Sequence, residues 1–317
     1  MKSGTLKNIS SVLSFLGKGF TKLNLFVFSR LFFSLKDNLI LDYLYRHYSD
    51  FIANWYGKYK EDVPKFKLPP IWVCWLQGEE FAPVVVKKCI NSIRNHAGNH
   101  PVIIISEKNI NEFVSMPDSI MDNVNNGIIT RTGFSDILRA ALLACYGGLW
   151  VDSTFYFSQD IPEEYFSYPI FSAGRQPEPW HRRMVCISHY RWTGSFLGTN
   201  SLNNILFCFL RDFFFEYEKR DGIFIDYLLI DYIIHIAYEK LPDVKKQIDN
   251  IPYNNIGLHK LFHAMNNKFN EIIARKMLLG DTKVFKLSYK RKWKDKASDG
   301  SYTFFHYFIN GYSDIFR

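Results

Sequence analysis

Three charged residues in one stretch of the chain have the types and spacing needed to bind a phosphorylated sugar. Asp136 and Arg139 are three residues apart, so on a helix they share one face, and Asp152 follows a short apolar run. A carboxylate accepts hydrogen bonds from sugar hydroxyls or holds a hard cation, while a guanidinium presents a rigid fork to oxygen acceptors. Together they could grip a nucleotide sugar. A second interpretation stays open, in which Asp136 complements a helix dipole, Arg139 is a solvated surface residue and Asp152 caps a turn.

The same stretch predicts the elements that must position these residues. Ser135 is a suitable N-cap, and the apolar residues after it recur at helical spacing: Ile137, Leu138, Ala141, Leu142 and Cys145. Gly147 and Gly148 then favour a helix end, because glycine adopts left-handed backbone geometry without steric cost. The strand that follows would deliver Asp152 to its carboxyl end, where open α/β sheets bind their ligands.

A strand, a helix and a second strand are predicted ahead of this stretch. Residues 71–76 and 102–106 have the continuous apolar pattern of buried strands, and residues 83–96 have a helical pattern. This order predicts a parallel sheet with a right-handed crossover. The first turn carries no Gly-x-Gly-x-x-Gly, which counts against a nicotinamide or flavin dinucleotide site.

Later parts of the chain predict further strands and helices. We expect strands at residues 128–130, 170–173, 184–188 and 284–289, and helices at residues 202–217 and 224–238. Residues 300–302 lead into a final aromatic strand or helix. Asp231 and His235 are four residues apart in the second of these helices, and both an acid–base pair and a structural hydrogen bond are open for them.

The Ser-Asp-x-Leu-Arg segment at residues 135–139, the Gly-Gly break and the strand ending in Asp152 resemble the donor-site signature of glycosyltransferases with a DXD motif. The likeness is to glycosyltransferase family 32 and its bacterial branch of capsular polysaccharide synthesis proteins. The glucosylating domains of large clostridial toxins are more distantly similar. The resemblance implies an α/β fold of GT-A-like, Rossmann-type character, with a mixed sheet flanked by helices and an N-terminal helical extension.

In these relatives the helix Asp and Arg contact the donor, and strand carboxylates hold donor and manganese. By position, the catalytic roles implied here fall on Asp136, Arg139 and Asp152. A Trp at the end of the first strand stacks on the donor's base in the relatives, and Trp75 matches it, with core burial as the alternative for this indole. The implied donor-binding set is completed by Gln77, Ser153, Thr154 and Asn200. Asn200 ends residues 195–200, a segment where similar enzymes have a loop that faces the donor or the acceptor.

The metal motif departs from the family pattern at Thr154, which stands where a full DXD motif has its second acid. A neutral hydroxyl is a weaker metal ligand than a carboxylate. Asp152 and Thr154 are therefore the candidate ligands for manganese or magnesium. The alternative is a site in which Arg and Lys side chains replace the ion.

Composition narrows the function classes. The 317 residues are 47% hydrophobic, enough for a substantial core, and the five dispersed cysteines favour reduced thiols in the cytoplasm over disulfides or a zinc site. The net charge of +8 is concentrated in two segments: residues 1–70 carry eleven Lys or Arg against five Asp or Glu, and residues 283–296 carry seven against one. Nucleic-acid binders spread positive charge across a reading surface, so we expect no nucleic-acid partner.

Residues 1–68 are predicted to form an amphipathic helical region, and residues 69–317 a transferase domain that follows a linker at residues 65–70. Aromatic and aliphatic residues alternate with Lys7, Lys18, Lys22 and Arg30, and no uncharged run approaches the roughly 20 residues of a spanning helix. Such a basic amphipathic region suits the inner surface of the cell membrane. A helical hairpin packed on the catalytic domain is the alternative. A secretory signal is not expected.

Two basic segments are candidates for phosphate contact. Residues 174–183 contain Arg175, His181, Arg182 and Arg183, and a solvated loop is an equal alternative for them. Residues 290–296 have the charge of the C-terminal loop that closes over the diphosphate in the toxin relatives, although lipid binding or solubility would use the same lysines.

The resulting hypothesis is a cytoplasmic, membrane-associated enzyme of the glycosyltransferase class. By resemblance it would transfer a sugar from a nucleotide-sugar donor, a uridine diphosphate sugar, with retention of configuration. Its acceptor would be a lipid-linked oligosaccharide in bacterial capsular or surface polysaccharide synthesis. The alternative is a non-catalytic polysaccharide-assembly or lipid-surface binding protein.

Overall fold

A five-stranded mixed sheet with helices on both sides forms the centre of the protein in a computed structural model. The model describes residues 2–55, 62, 68–178, 186–312 and 315–316. The strands are β1 (Ile71–Cys74), β2 (Val102–Ile105), β3 (Gly148–Val151), β5 (Phe171–Ser172) and β6 (Phe196–Thr199), in the spatial order β2-β1-β3-β6-β5. A separate two-stranded ribbon joins β4 (Phe155–Phe157) to β7 (Val284–Lys286).

The described residues form thirteen α-helices. They are α1 (Ser3–Lys22), α2 (Phe26–His47), α3 (Ser49–Trp55), α4 (Val84–Asn95), α5 (Ile110–Phe113), α6 (Asp118–Asn125), α7 (Arg131–Tyr146), α8 (Ile205–Arg220), α9 (Leu229–Lys240), α10 (Pro242–Asp249), α11 (Lys260–Ala264), α12 (Glu271–Leu278) and α13 (Phe304–Asn310).

The first three strands of the sheet form as the apolar pattern predicts. β1 pairs in parallel with both β2 and β3, and α4 connects β1 to β2 as the predicted crossover. The side chains of β3 are fully buried, which is why its sequence reads as a continuous apolar run. The prediction of an α/β fold with a mixed sheet flanked by helices is confirmed.

The second half of the sheet differs from the prediction. Residues 195–200, predicted as a loop, contain β6, which lies antiparallel beside β3 with Gly148 opposite Thr199 and Val151 opposite Phe196. Phe196 and Leu197 are buried, and β6 lies between β3 and β5. The sequence of this segment is short and interrupted by a glycine, so its strand conformation is determined by tertiary packing.

Three further local predictions were wrong. The N-cap of α7 is Thr130, whose hydroxyl accepts from the Gly133 amide at 3.1 Å, whereas Ser135 lies inside the helix and donates to the Thr132 carbonyl. Residues 128–130 therefore lead into a helix and do not form a strand. Residues 186–188 are not in a strand, while residues 184–185 and the predicted linker residues 65–67 lie outside the described residues.

The Gly-Gly break has the predicted role, and Gly148 shows why. Gly147, with φ +66°, ends α7, and Gly148 follows with φ +84°. A Cβ on Gly148 would lie 2.2 Å from the Pro70 carbonyl oxygen, so no other residue fits between helix and strand here.

The first two helices form a hairpin that packs on the rest of the chain through a buried charge network. Lys36 of α2 lies 3.2 Å from Asp226 in the α8–α9 loop, and the Ser10 hydroxyl of α1 donates to the same carboxylate oxygen at 2.8 Å. The side chains of Lys36 and Asp226 are only 7% and 8% exposed, so each compensates a charge that water cannot reach. None of the described helices combines the length and apolar character that crossing a bilayer requires.

Candidate functional site

Asp152 lies directly after β3, at the carboxyl edge of the sheet. Its amide donates to the Ser195 carbonyl beside β6 at 3.0 Å, which fixes the backbone where β3 ends. Carboxylate Oδ1 accepts from the Trp150 indole at 2.9 Å and from Arg139 at 3.1 Å, and Oδ2 accepts from Lys286 Nζ at 2.6 Å. Asp152 is therefore held by two cations and one neutral donor.

Arg139 connects the helix to this strand end. Its guanidinium lies 3.1 Å from Asp136 and 3.1 Å from Asp152, and it also donates to the Gly194 carbonyl. The guanidinium also lies 5.0 Å from the centre of the Trp150 ring, so it is enclosed on that side as well. The structure thus brings Asp136, Arg139 and Asp152 together, as the sequence predicts, and excludes the alternative of a solvated surface arginine.

These three residues differ in how they meet the adjacent cavity. A cavity of about 260 Å³ opens beyond the carboxyl ends of β1 and β3, and Asp152 lies on its wall. Asp136 and Arg139, 5% and 4% exposed, lie behind Asp152 and are not part of that wall. In this conformation Asp136 and Arg139 position Asp152, and the Asp152 carboxylate lies between them and the cavity.

Four other predicted donor-binding residues line the same cavity. Trp75 and Gln77 come from the end of β1, and Ser153 and Thr154 follow Asp152. Because β1 and β3 are parallel, their carboxyl ends emerge at one edge of the sheet. The Trp75 ring meets Tyr289 edge to face at 5.1 Å, and its buried indole N–H has no hydrogen-bond partner among the described residues.

Asn200 does not join this group. It follows Thr199, the last residue of β6, which lies opposite Gly148 in the antiparallel register with β3, so Asn200 is at the sheet edge opposite Asp152. Its side chain donates to the Ser167 carbonyl at 2.7 Å. The sequence interpretation failed here because it treated residues 195–200 as a loop facing the donor or the acceptor, whereas residues 196–199 form β6.

Lys286, Tyr227 and Tyr289 also line the cavity, and the sequence interpretation assigned none of them to it. Lys286 pairs with Phe155 across the β4–β7 ribbon. Phe155 is only three residues after Asp152, which explains how a strand distant in sequence reaches that carboxylate. The signal in the sequence was a lysine at the end of a short apolar strand, which the neighbouring run of lysines at residues 290–296 obscured.

The remaining predicted polar residues lie elsewhere or outside the described residues. Asp231 accepts from the Trp192 indole at 3.0 Å, and His235 Nδ1 has no partner within the described chain, so the pair predicted for these two residues is not formed. Arg175 donates to the Ile248 carbonyl. His181, Arg182 and Arg183 lie outside the described residues. All five cysteines are free thiols.

The two acids beside Arg139 are in opposite electrostatic situations. Burial raises the pKa of Asp136 to about 7, and the charge of Arg139 only partly compensates for it. Burial also acts on Asp152, but Lys286 and Arg139 outweigh it and lower its pKa below the ordinary value. Asp152 is therefore the permanently charged member of the pair.

The described residues do not offer a ligand set for a divalent cation. No group of three His, Cys, Asp or Glu side chains able to hold a metal is found among them. Both oxygens of Asp152 already accept hydrogen bonds, Lys286 occupies the side of Oδ2, and Thr154, a residue that is 8% exposed, contributes only a hydroxyl. Asp152 is the one carboxylate among the described residues that line this cavity, and magnesium and manganese are bound through carboxylates together with water or substrate phosphates.

Comparisons with known proteins point to one family. Residues 21–308 match the family model described as capsular polysaccharide synthesis protein. Among solved structures, PaToxG glycosyltransferase is similar over 69% of this chain and 90% of its own, with 12% sequence identity and a TM-score of 0.38. A TM-score that low adds nothing to what the chain's own residues establish. No curated protein matches the chain significantly.

We predict that Asp136 makes the stability of the protein depend on pH. Because the folded protein holds this proton more tightly than the unfolded chain, the contribution of Asp136 to stability falls as pH rises from 3.8 and levels off above about 7. Asp136→Asn removes this dependence. The melting temperature of the variant should therefore rise relative to that of the wild type as pH is raised from 3.8 to about 7. Thermal unfolding followed by circular dichroism measures the difference, and two parallel curves would contradict the assignment.

Proposed function

Since the chain belongs to the capsular polysaccharide synthesis protein family, with residues 21–308 matching its model, we propose that it is a glycosyltransferase. It takes a nucleotide sugar, a uridine diphosphate sugar in our proposal, and transfers the sugar with retention to a lipid-linked oligosaccharide of a bacterial capsule or other surface polysaccharide. The observation that carries the proposal is the ion-pair chain from Arg139 through Asp152 to Lys286, at the wall of the cavity beyond β1 and β3.

The two groups on the cavity wall suit the two halves of such a donor. Asp152 is a charged carboxylate whose oxygens can accept hydrogen bonds from sugar hydroxyls. Lys286 is an ammonium that can contact the diphosphate, and the lysine-rich loop after it adds positive charge on the same side. Trp75 presents an indole to the cavity, which suits stacking on the nucleotide base.

Transfer breaks the bond between the anomeric carbon and the diphosphate oxygen, and negative charge develops on that oxygen. In our proposal Lys286 stabilises this charge, in the place where relatives with a full DXD motif use a metal ion. The acceptor hydroxyl oxygen forms the new bond to the anomeric carbon, and its proton passes to the departing diphosphate oxygen. Arg139 and Asp136 hold Asp152 in place before the donor binds, so this carboxylate needs little reorganisation at the reaction step.

The function is tested with a panel of nucleotide sugars. We expect one donor to raise the melting temperature and to be slowly hydrolysed in the absence of acceptor, since a ligand that binds only the folded state stabilises it. Asp152→Asn should lower kcat/KM for that donor by about 100-fold, a loss typical of removing one electrostatic contact from an active site. Asp160→Asn, a change at a carboxylate that is 85% exposed, is the matched control and should have no effect.

If no nucleotide sugar shifts the melting temperature or is turned over, the transferase proposal fails. Undiminished turnover by Asp152→Asn would support the non-catalytic, polysaccharide-assembly or lipid-surface alternative instead.

The role of Lys286 is tested by chelation and substitution together. We expect wild-type turnover to persist in excess chelator, while Lys286→Met lowers kcat/KM by about 100-fold and Lys286→Arg recovers part of the loss. Lys87→Met, at an exposed lysine that donates to the Glu80 carbonyl, is the control and should keep full activity. Activity that disappears with chelator and returns with manganese would show that a metal, and not Lys286, carries this charge.

We also propose that the hairpin of α1 and α2 docks on an anionic membrane surface at the cytoplasmic side. Its outer face exposes large apolar side chains next to Lys7, Lys18 and Lys22; the most exposed are Val12, Phe15, Leu23 and Val27, at 57%, 76%, 68% and 78%. Apolar groups flanked by lysines suit insertion between anionic headgroups. The inner face of the same hairpin is buried, so packing on the remainder of the chain and membrane contact are compatible.

Membrane docking is tested by co-sedimentation with vesicles. Wild-type protein should pellet with phosphatidylglycerol vesicles and much less with phosphatidylcholine vesicles, and the double variant Phe15→Glu/Val27→Glu should lose at least about tenfold in affinity. Ile272→Glu, at a position on α12 that is 78% exposed, controls for adding an acid to the surface. Equal binding by the double variant and the wild type would refute this docking face.

A further inference from the structure

A second cavity, several times larger than the first, lies beyond the other end of the β4–β7 ribbon. Its volume is about 1260 Å³, and residues of the loop after α10, of α11 and of α12 line it. Pockets for single small molecules are about 300–1,000 Å³, so this one is large enough for a chain molecule. Nothing in the proposed donor chemistry uses it.

The floor of this cavity is rigid without a ligand. Asn255, 4% exposed and in left-handed backbone geometry with φ +46°, donates to the Tyr165 hydroxyl at 2.8 Å and accepts from the Lys283 amide at 2.8 Å. The Thr282 hydroxyl accepts from the Gly257 amide at 3.0 Å. Since these polar groups satisfy one another, the shape of the floor is preformed.

The rim, by contrast, presents groups that have no partner among the described residues. The ammonium groups of Lys260 and Lys276 and the carboxylate of Asp281 form no ion pair or side-chain hydrogen bond there. Tyr253, 61% exposed, and Ile256, 60% exposed, add an aromatic and an aliphatic surface. A ligand that fits must therefore offer apolar faces and many hydrogen-bonding groups together.

Glycan chains have this combination, because each ring carries hydroxyls at its edge and C–H bonds on its faces. A tyrosine ring is amphipathic in the same way and packs on such a face while its hydroxyl stays solvated. A lipid tail would offer no hydrogen bonds to the polar groups of this cavity, whereas a glycan offers many.

The cavity and the proposed donor site lie at the two ends of β7. Lys283, the residue before this strand, lines the cavity, and Lys286, the last residue of the strand, pairs with Asp152. Three residues of a strand span about 10 Å, so a glycan longer than one sugar could occupy the cavity and still reach the donor. Resting on the glycosyltransferase function proposed above, we infer that this cavity binds the growing oligosaccharide of the acceptor, several sugars away from the hydroxyl that reacts.

The inference is tested with Tyr253→Ala and Lys276→Glu, both at the cavity rim. The probe is the lipid-linked glycan extracted from the membranes of the bacterium that carries the gene, together with its delipidated oligosaccharide. We expect each variant to raise KM for the lipid-linked glycan about tenfold and to lower the ratio of transfer to donor hydrolysis by a similar factor. Tyr302→Ala, at a half-exposed tyrosine outside both cavities, is the matched control and should behave as the wild type.

Saturation-transfer NMR with the delipidated oligosaccharide provides a readout that does not need turnover. Binding by the wild type that weakens in both rim variants supports the inference. Unchanged acceptor KM and unchanged oligosaccharide binding in both variants would overturn it, as would a rise in donor KM by the same factor, which would assign the cavity to the donor. A wild type that neither hydrolyses nor transfers any sugar would instead refute the proposed function, and the NMR result would still decide whether the cavity binds glycan.

Discussion

The site depends on the charge of Asp152, a carboxylate that the fold encloses and keeps ionised. Two cations from distant parts of the chain compensate it, Arg139 from α7 and Lys286 from β7, and both lie within 3.1 Å of its oxygens. An uncompensated charge in such a place would cost several kcal/mol. Helix, strand and ribbon each contribute a group that keeps this carboxylate ionised inside the fold, which makes the cluster a product of the whole fold.

The Asp136–Arg139 pair shows how much of this could be predicted from the sequence. A helix spacing of three, a Gly-Gly break and a strand ending in an acid are local features, and they predicted correctly that the helix and strand meet at one place. Lys286 was missed because it is 134 residues from Asp152, and only the pairing of β7 with β4 brings it there. β6 was missed for the same reason, since its strand conformation is imposed by β3 and β5 on either side. Asn200 was misplaced as a consequence, because the antiparallel direction of β6 sends it to the far edge.

The N-terminal hairpin takes part in shaping the first cavity through one loop. Asp226 accepts from Ser10 and Lys36 of the hairpin with one oxygen, and from the Leu228 amide with the other. Tyr227 lies between Asp226 and Leu228 in the sequence, and it lines the cavity together with Asp152. The division of the chain at residue 68 therefore separates sequence regions that share one buried network. Any movement of the hairpin changes the support of a cavity wall.

If the protein has the function proposed above, the same wall explains why an ion pair is a suitable resting state for a donor site. At about 260 Å³ the cavity is smaller than the usual range for small-molecule pockets, and Lys286 lies across it on Asp152. A nucleotide sugar must separate these two groups, and leaving either one unpaired would be costly. The donor, however, brings a phosphate for the ammonium and hydroxyls for the carboxylate, so each group exchanges one partner for another. Lys286 ends a short ribbon and has a long flexible side chain, whereas Asp152 is fixed by Trp150 and Arg139. The lysine is therefore the group that moves, and a ligand lacking either the phosphate or the hydroxyls would leave one of the two charges without a partner.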